Sequence, residues 1–370
     1  MPKIPLKPRA ILIDVIPPTM PKAEAERRLL ELESLVGTYG GIIIVKLIQK
    51  KGVPDYRTYI GSGKLEEIAE LAHKEKAEVL IINNLLKPGQ MFKVDEALRD
   101  AKLKMQVWDR VDLILKIFSK HAKTAEAKLQ IKLAAIRHMG PRIFGMGSEM
   151  MQQAGGIGGR AGAGESNTEM MKRHLFQQEQ HTKKELERVA VSRAGHRAHR
   201  DRMGLKTVSI VGYTNAGKSS LLNALTKKGA YVADALFATL DTRVGKLWTG
   251  DREVLLSDTI GFIQDLPPQL IDAFRSTLDE TVDADLLLHV IDVSDPYVHE
   301  KIVEVEEVLK QMKADHIPKL YVFNKIDRLK RVPKTKLTKD YKAFSPTFVS
   351  AHTGAGLEEL KQLIAKQLVS

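Results

Sequence analysis

Eight consecutive residues, Gly212-Tyr213-Thr214-Asn215-Ala216-Gly217-Lys218-Ser219, have the types and spacing of a phosphate cradle. They fit G-x-x-x-x-G-K-[ST]. Glycines let a backbone curl so that successive N–H groups point at phosphate oxygens. A helix beginning at the loop adds partial positive charge. In this chemistry Lys218 bridges the β- and γ-phosphates and the Ser219 hydroxyl holds Mg²⁺. The flanks agree: Thr207–Val211 (TVSIV) predicts a short buried strand and Ser219–Lys227 a helix.

Three more motifs follow in order, each behind an apolar strand. Asp258-Thr259-Ile260-Gly261 follows Glu253–Ser257. Its Asp can hold the Mg²⁺ shell through water, and the N–H of Gly261 can meet the γ-phosphate and sense hydrolysis. Lys218 and Gly261 are thus the groups expected to act on the transferred phosphoryl. Asn324-Lys325-Ile326-Asp327 follows Lys319–Phe323. A carboxylate there accepts from N1–H and the exocyclic amine of guanine, and adenine offers neither, so Asp327 argues for GTP over ATP. Ser350-Ala351-His352 follows Thr347–Val349 and can offer a backbone N–H to guanine O6. Each motif is weak alone. Together they resemble a translation-factor-class GTPase domain of the Ras-like fold, over about residues 205–370.

Elements upstream must present or exploit this site. The chain has 370 residues, enough for two or three domains with real cores. It has no Cys, which excludes a disulfide framework and thiol chemistry. No apolar run approaches the roughly 20 residues of a membrane helix, and the start MPKIPLKPRA lacks a signal-peptide core. These features predict a soluble, cytoplasmic protein, expected to be a monomer. The net charge of +12 is unevenly spread. Residues 207–370 carry 21 Lys/Arg against 22 Asp/Glu, whereas residues 1–206 carry 37 against 24. The basic excess lies upstream and suits a polyanion such as nucleic acid; a merely solvated basic surface is the plainer alternative.

Residues 9–120 alternate between strand and helix patterns. Strands are predicted at 10–16, 42–47, 79–83 and 104–107, and helices at 21–38, 65–75 and 88–101. That order implies a small parallel sheet with covering helices. Between two of these elements lies Tyr59-Ile60-Gly61-Ser62-Gly63-Lys64. Its Gly-x-Gly-Lys either turns a strand tightly into a helix or holds a phosphate at the helix start.

Residues 124–144 have an amphipathic stripe of Leu129, Leu133 and Ile136. The stretch 145–165 is glycine-rich and holds no regular structure. From about Ser166 to Arg202 a long polar helix is expected, roughly 55 Å at 1.5 Å per residue, with Gly195 near its end as a candidate interruption. The two helices suggest a coiled-coil-like arm with the glycine loop at its tip. The arm's basic stripe, Arg193, Arg197 and Arg200, and Arg160 in the loop are candidate RNA contacts. Aromatic residues are scarce at 5%, so base stacking on exposed rings is not expected. Predicted boundaries are 1–122 for the α/β domain, 123–204 for the arm and 205–370 for the GTPase domain.

Taken together the chain resembles the HflX family of ribosome-associated GTPases along nearly its whole length. The residues that carry the resemblance are YIGSGK from Tyr59, VWDRVDLILKIF from Val107, AKLQIKLAAIRH from Ala127 and the glycine loop ending Gly164-Glu165. To these are added GYTNAGKSSLLNAL from Gly212, LFATLDTR from Leu236, DTIGFIQDLP from Asp258 and AFRSTLDE from Ala273. Two places depart from the family pattern: Ala163 stands in the R-G-P-G-E stretch, and Leu240-Asp241-Thr242-Arg243 is shorter than L-D-P-T-x-R. The resemblance implies binding to the large ribosomal subunit and its rRNA, with ribosome splitting or rescue under stress as the role. It also implies nucleotide contacts from Phe237, Ala238, Thr239, Leu240 and Asp241, with Thr239 reaching Mg²⁺ and Thr242 as the alternative.

Many GTPases carry a water-orienting Gln just after the DxxG glycine. Here that position is Phe262, which predicts slow hydrolysis by the free protein and activation by its partner. Asn215 resembles the asparagine that binds K⁺ in some GTPases; its other reading is a hydrogen bond to switch I. Two other functions fit less of the chain: a ribosome-assembly or RNA-modification GTPase, and an ATP-dependent RNA-remodelling protein whose main site lies near Lys64.

Overall fold

The computed structural model describes residues 7–138, 167–226, 243–250, 252–258, 261–262, 270 and 281–368; within these, the side chains of 167, 168, 171, 193, 196–201 and 243 are left out. The chain divides into two compact units, Met1–Lys120 with Leu129–Glu185, and His121–Lys128 with Leu186–Ser370.

The first unit is built on four parallel strands in the order β2-β1-β3-β4. They are β1 (Arg9–Ile16), β2 (Ile42–Lys50), β3 (Val79–Ile82) and β4 (Gln106–Asp109), joined by α1 (Lys22–Tyr39), α2 (Ser62–Glu75) and α3 (Pro88–Asp100). The predicted order is therefore observed. β1 and β3 are apolar and buried because helices cover both faces of a parallel sheet. β2, at the edge, alternates in exposure. Ile11, Ile13, Leu80 and Ile82 pack on Ile68, Val94 and Leu98 from α2 and α3.

In the first unit one helix was not read from the sequence. Helix α4 (Arg110–His121) starts directly at the end of β4. Its start is written in Asp109-Arg110-Val111-Asp112. The Asp112 N–H donates to Asp109 Oδ1 at 2.9 Å, and the Asp109 N–H donates to Asp112 Oδ2 at 3.1 Å. This reciprocal pairing satisfies two amides that a helix start leaves orphaned. His138, from helix α5 over 125–138, brings Nε2 to 3.1 Å from Asp109 Oδ1 and ties that helix to the same carboxylates. Helix α6 (Asn167–Arg202) is continuous through Gly195, so the expected interruption is absent. Arg137 of α5 reaches Glu179 of α6 at 3.1 Å, an ion pair between the two helices. The glycine loop 145–165, with Arg160, lies outside the described residues.

The second unit holds six strands in the order β10-β9-β8-β5-β7-β6. β5 (Lys206–Val211), β7 (Glu253–Asp258), β8 (Leu286–Asp292), β9 (Lys319–Asn324) and β10 (Thr347–Phe348) are parallel; β6 (Arg243–Trp248) runs antiparallel to β7 at the edge. Helices α7 (Lys218–Thr226), α8 (Val298–Gln311), α9 (Lys334–Asp340) and α10 (Leu357–Gln367) accompany them. The core joins Val208 and Ile210, Leu221 and Leu225, Leu288 and Val290, and Leu360 and Ile364.

Candidate functional site

Strand β5 ends at Val211 and α7 begins at Lys218, so the phosphate-type loop spans the gap between a buried strand and a helix N-terminus. Two glycines of the site, one in this loop and one in the DxxG motif, are dictated by contacts. Gly217 has φ +94°, and a Cβ there would lie 2.3 Å from Asn324 Nδ2. Gly261 has no positive φ, but its Cβ would lie 2.7 Å from Lys218 Nζ and 2.9 Å from Thr214 Cγ2. Asn215 takes φ +62° at the tip of the loop, where asparagine is better tolerated than most residues.

Lys218 is buried, and its ammonium donates to Gly212 O at 3.1 Å and Tyr213 O at 2.8 Å. Burial pushes its pKa down to about 8; Asp258 opposes that shift and Lys325 adds to it. The Ser219 hydroxyl donates to Asp258 Oδ2 at 2.5 Å. The DxxG backbone is pinned to the loop: Thr214 N–H donates to Phe262 O at 2.7 Å, and Phe262 N–H donates to Gly212 O at 3.2 Å. The Phe262 ring is 1% exposed, so it is core rather than a group facing the loop.

The third and fourth motifs close the site laterally. The Asn324 amide donates to Ala216 O at 2.9 Å while its oxygen accepts the Ala351 N–H at 3.0 Å. One side chain thus joins the phosphate-type loop to the Ser350-Ala351-His352 loop. Ser350 donates to Asp327 Oδ1 at 2.5 Å, and this hydroxyl contact is the main cause holding the exposed Asp327 carboxyl below its ordinary range. Lys325, at φ +66°, spans Asn215 O at 2.6 Å and Asp292 Oδ2 at 2.7 Å. His352 is exposed and Ile326 half-buried beside Asp327.

The structure thus brings together Gly212, Tyr213, Thr214, Asn215, Ala216, Gly217, Lys218, Ser219, Asp258, Gly261, Asn324, Lys325, Asp327, Ser350 and Ala351 at the carboxyl edge of one sheet. Thr259, Ile260, Phe237, Ala238, Thr239, Leu240 and Asp241 lie outside the described residues. Arg193, Arg197 and Arg200 lie on α6, with their side chains outside the description. Two supporting residues escaped the sequence reading. Asp292 ends β8 opposite Asn324 in the strand register and receives Lys325. Lys301 of α8 sits 4.6 Å from the Tyr213 ring centroid while paired with Asp295 at 2.5 Å. Neither lies in a motif; only strand pairing and helix packing bring them in.

The Gly61-Ser62-Gly63-Lys64 turn differs. The Gly61 N–H is taken by Gln49 Oε1 at 3.1 Å, and Lys64 pairs with Glu67 at 2.5 Å. The Gly61 N–H and the Lys64 ammonium thus serve the turn and the helix it starts.

A parallel sheet with a phosphate-type loop after its first strand, and guanine-type motifs after later ones, defines a P-loop GTP-binding domain. The family model described as 50S ribosome-binding GTPase matches residues 207–325. Those described as GTP-binding GTPase N-terminal and GTP-binding GTPase Middle Region match 26–119 and 121–200. The GTPase HflX of Caldanaerobacter subterraneus subsp. tengcongensis is 42% identical, over 98% of this chain and 81% of its own length. That of Escherichia coli K12 is 40% identical, over 91% and 78%. A GTP-binding protein from Sulfolobus solfataricus, solved in complex with GDP, is similar at a TM-score of 0.52 and 26% identity, over 98% of this chain and 99% of that one. The chain belongs to the HflX family of GTPases. Among the described residues no helix is long and apolar enough to cross a membrane.

Proposed function

We propose that this chain, as a cytoplasmic monomer, hydrolyses GTP and uses the bound nucleotide to govern its hold on the large ribosomal subunit and its rRNA, in ribosome splitting or rescue under stress. The observation that carries the nucleotide half is the Asn324 bridge. It holds the phosphate-type loop and the base-type loop at a fixed separation, with Asp327 beside them, which is what guanine selectivity requires. The division of charge supports the other half: residues 1–206 carry all of the basic excess.

In this reading the loop amides of residues 213–219 bind the phosphates, Lys218 leaves its two carbonyls for phosphate oxygens, and the Gly261 N–H faces the γ-phosphate. Thr259, Ile260 and Phe237 to Asp241 complete the nucleotide contacts. Ser219 and Asp258, two oxygen donors in direct contact, suit a hard divalent cation. Ser219 and Thr239 would hold Mg²⁺ with Asp258 behind them, and the ion would neutralise charge on the phosphates. Asn215 is the K⁺ candidate, testable by exchanging K⁺ for Na⁺ in the assay. Phe262 brings no water-positioning group, so the partner supplies the activation. Arg160, Arg193, Arg197 and Arg200 contact RNA, within a division of labour among residues 1–122, 123–204 and 205–370.

Calorimetry with GTP, GDP and ATP tests the nucleotide; uptake of ATP in place of guanine nucleotides refutes it. Cosedimentation with separated subunits, in GDP and in a non-hydrolysable GTP analogue, tests the partner. Equal binding to both subunits, indifferent to nucleotide, sinks the coupling.

A further inference from the structure

The loop between β2 and α2 spends many hydrogen bonds on presenting one aromatic ring to solvent. Tyr56 is 89% exposed at its tip. On either side, Asp55 and Tyr59 exchange both backbone hydrogen bonds, at 3.0 and 2.9 Å. The Asp55 carboxylate turns back to accept Arg57 N–H and Thr58 N–H at 2.9 and 3.0 Å. Gln90 of α3 clamps the tip from below. Its amide donates to Asp55 O and Tyr56 O, each at 3.2 Å, and its oxygen accepts Lys87 N–H at 3.0 Å. A tip held this firmly has lost most of its backbone freedom before it meets anything. Exposed rings on rigid backbone are good contact groups because little entropy remains to be lost.

The charges around the ring select the partner. Arg57 and Lys87 are exposed, and Lys51 is half-buried beside Asp55 at 3.8 Å. The lone carboxylate of the loop is already used internally by Asp55. A cleft of about 410 Å³ between α2 and α3, which Asp55 and Arg57 of the loop help to line, sets Glu66, Glu96 and Asp100 against Lys93. A polyanion therefore meets the loop on the side of Lys87, whose N–H shares the Gln90 clamp with the tip, rather than inside the cleft. An aromatic face among cations fits a nucleobase stacked beside its own phosphates. An apolar protein partner has no use for the two exposed cations.

We infer that Tyr56 is a stacking platform for an unpaired base of structured RNA, with Arg57 and Lys87 on the adjoining phosphates. This rests on the ribosomal reading above and adds a contact that the low aromatic content had argued against. The test uses the full chain and two probes, intact large ribosomal subunits and their RNA freed of protein. Tyr56→Ala weakens binding to both by about 5- to 100-fold, the range for loss of one base–aromatic stack. Tyr56→Phe keeps wild-type affinity, since the ring is retained. The salt dependence of Tyr56→Ala keeps its slope, whereas Lys87→Gln lowers it by about 1. Thermal stability and GTP hydrolysis of the free variants are unchanged. Wild-type affinity in Tyr56→Ala overturns the inference and leaves the ribosomal reading standing. Loss on intact subunits alone assigns the ring to a ribosomal protein and equally overturns it. Failure of the wild type to bind either probe removes both readings.

Discussion

The two parallel sheets end in opposite ways at their carboxyl edges. In each, the first strand has neighbours on both sides, β2 and β3 around β1, and β7 and β8 around β5. That is the topology where open α/β sheets leave a ligand crevice. In the first unit the crevice is filled by its own side chains. Asp14 is fully buried and accepts from Arg28 Nε at 3.0 Å and Asn83 Nδ2 at 2.8 Å. Arg110 donates to Asn83 Oδ1 at 2.8 Å and pairs with Glu31. In the second unit paired side chains such as Asp292–Lys325 stand at the side, and Gly212, Gly217 and Gly261 put no Cβ at the close contacts around the loop after β5. Paired side chains make a sheet end inert; a bare backbone leaves it able to take a phosphate.

The strongest way to break this contrast is Lys218→Ala. It should lower GTP hydrolysis by about 100-fold or more, read as phosphate release, with little effect on urea stability. An active variant would mean that the chemistry lies elsewhere. Asp14→Ala should do the reverse. Leaving Arg28 and Asn83 without their buried carboxylate should cost about 3–5 kcal/mol in the first unit's urea transition, with GTP affinity unchanged. If that variant instead lost nucleotide and kept its stability, the first crevice would be the functional one.

Phe262→Gln sharpens the second edge. The ring is core, so a buried amide should cost about 2–4 kcal/mol. Hydrolysis by the free chain should rise by less than about tenfold, short of the 10²–10⁴ of a positioned catalytic group. A larger rise would show that the side chain does reach the nucleotide.

The smallest effect concerns a polar network beneath the second sheet. Glu306 accepts from Tyr321 at 2.9 Å, pairs with Lys319 at 2.5 Å, and lies 3.3 Å from His289. Burial alone would raise its pKa, but these partners outweigh it and hold Glu306 near 2. Its folded pKa is depressed, so its contribution is complete above about pH 4.5 and lost as pH falls towards 2. Discounted for partial exposure, that is about 1–2 kcal/mol. Burial lowers the His289 pKa and so adds a loss of the same sign as pH falls below its ordinary value of 6.5. The stability gap between wild type and Glu306→Gln should therefore close between pH 5 and 2.5 in urea titrations; a constant gap would refute the linkage.

Much was legible in order and type. The alternation over residues 9–109 predicted the first sheet because apolar runs with helical stretches between them have few other ways to be buried. The four nucleotide motifs were legible because each is local: its residue types serve a turn that follows its own strand. Helix α4 was missed because an apolar helix directly behind a strand reads as one continuous hydrophobic run; the Asp109/Asp112 pair was the signal that separates them. Strands β6 and β8 and helices α8, α9 and α10 carry no motif and were not assigned from the sequence.

The sequence by itself determined which residues make the nucleotide loops, which half carries the basic charge, and that residue 262 brings no polar side chain. Only the tertiary structure decided that Asn324 joins two loops, that Asp292 holds Lys325, that the first crevice is plugged by Asp14 and its partners, and that Tyr56 stands exposed on a braced tip. The physical reason is range. A turn is selected by its own few residues, whereas a partner tens of residues away is selected by strand register and helix packing, which appear only when the core closes.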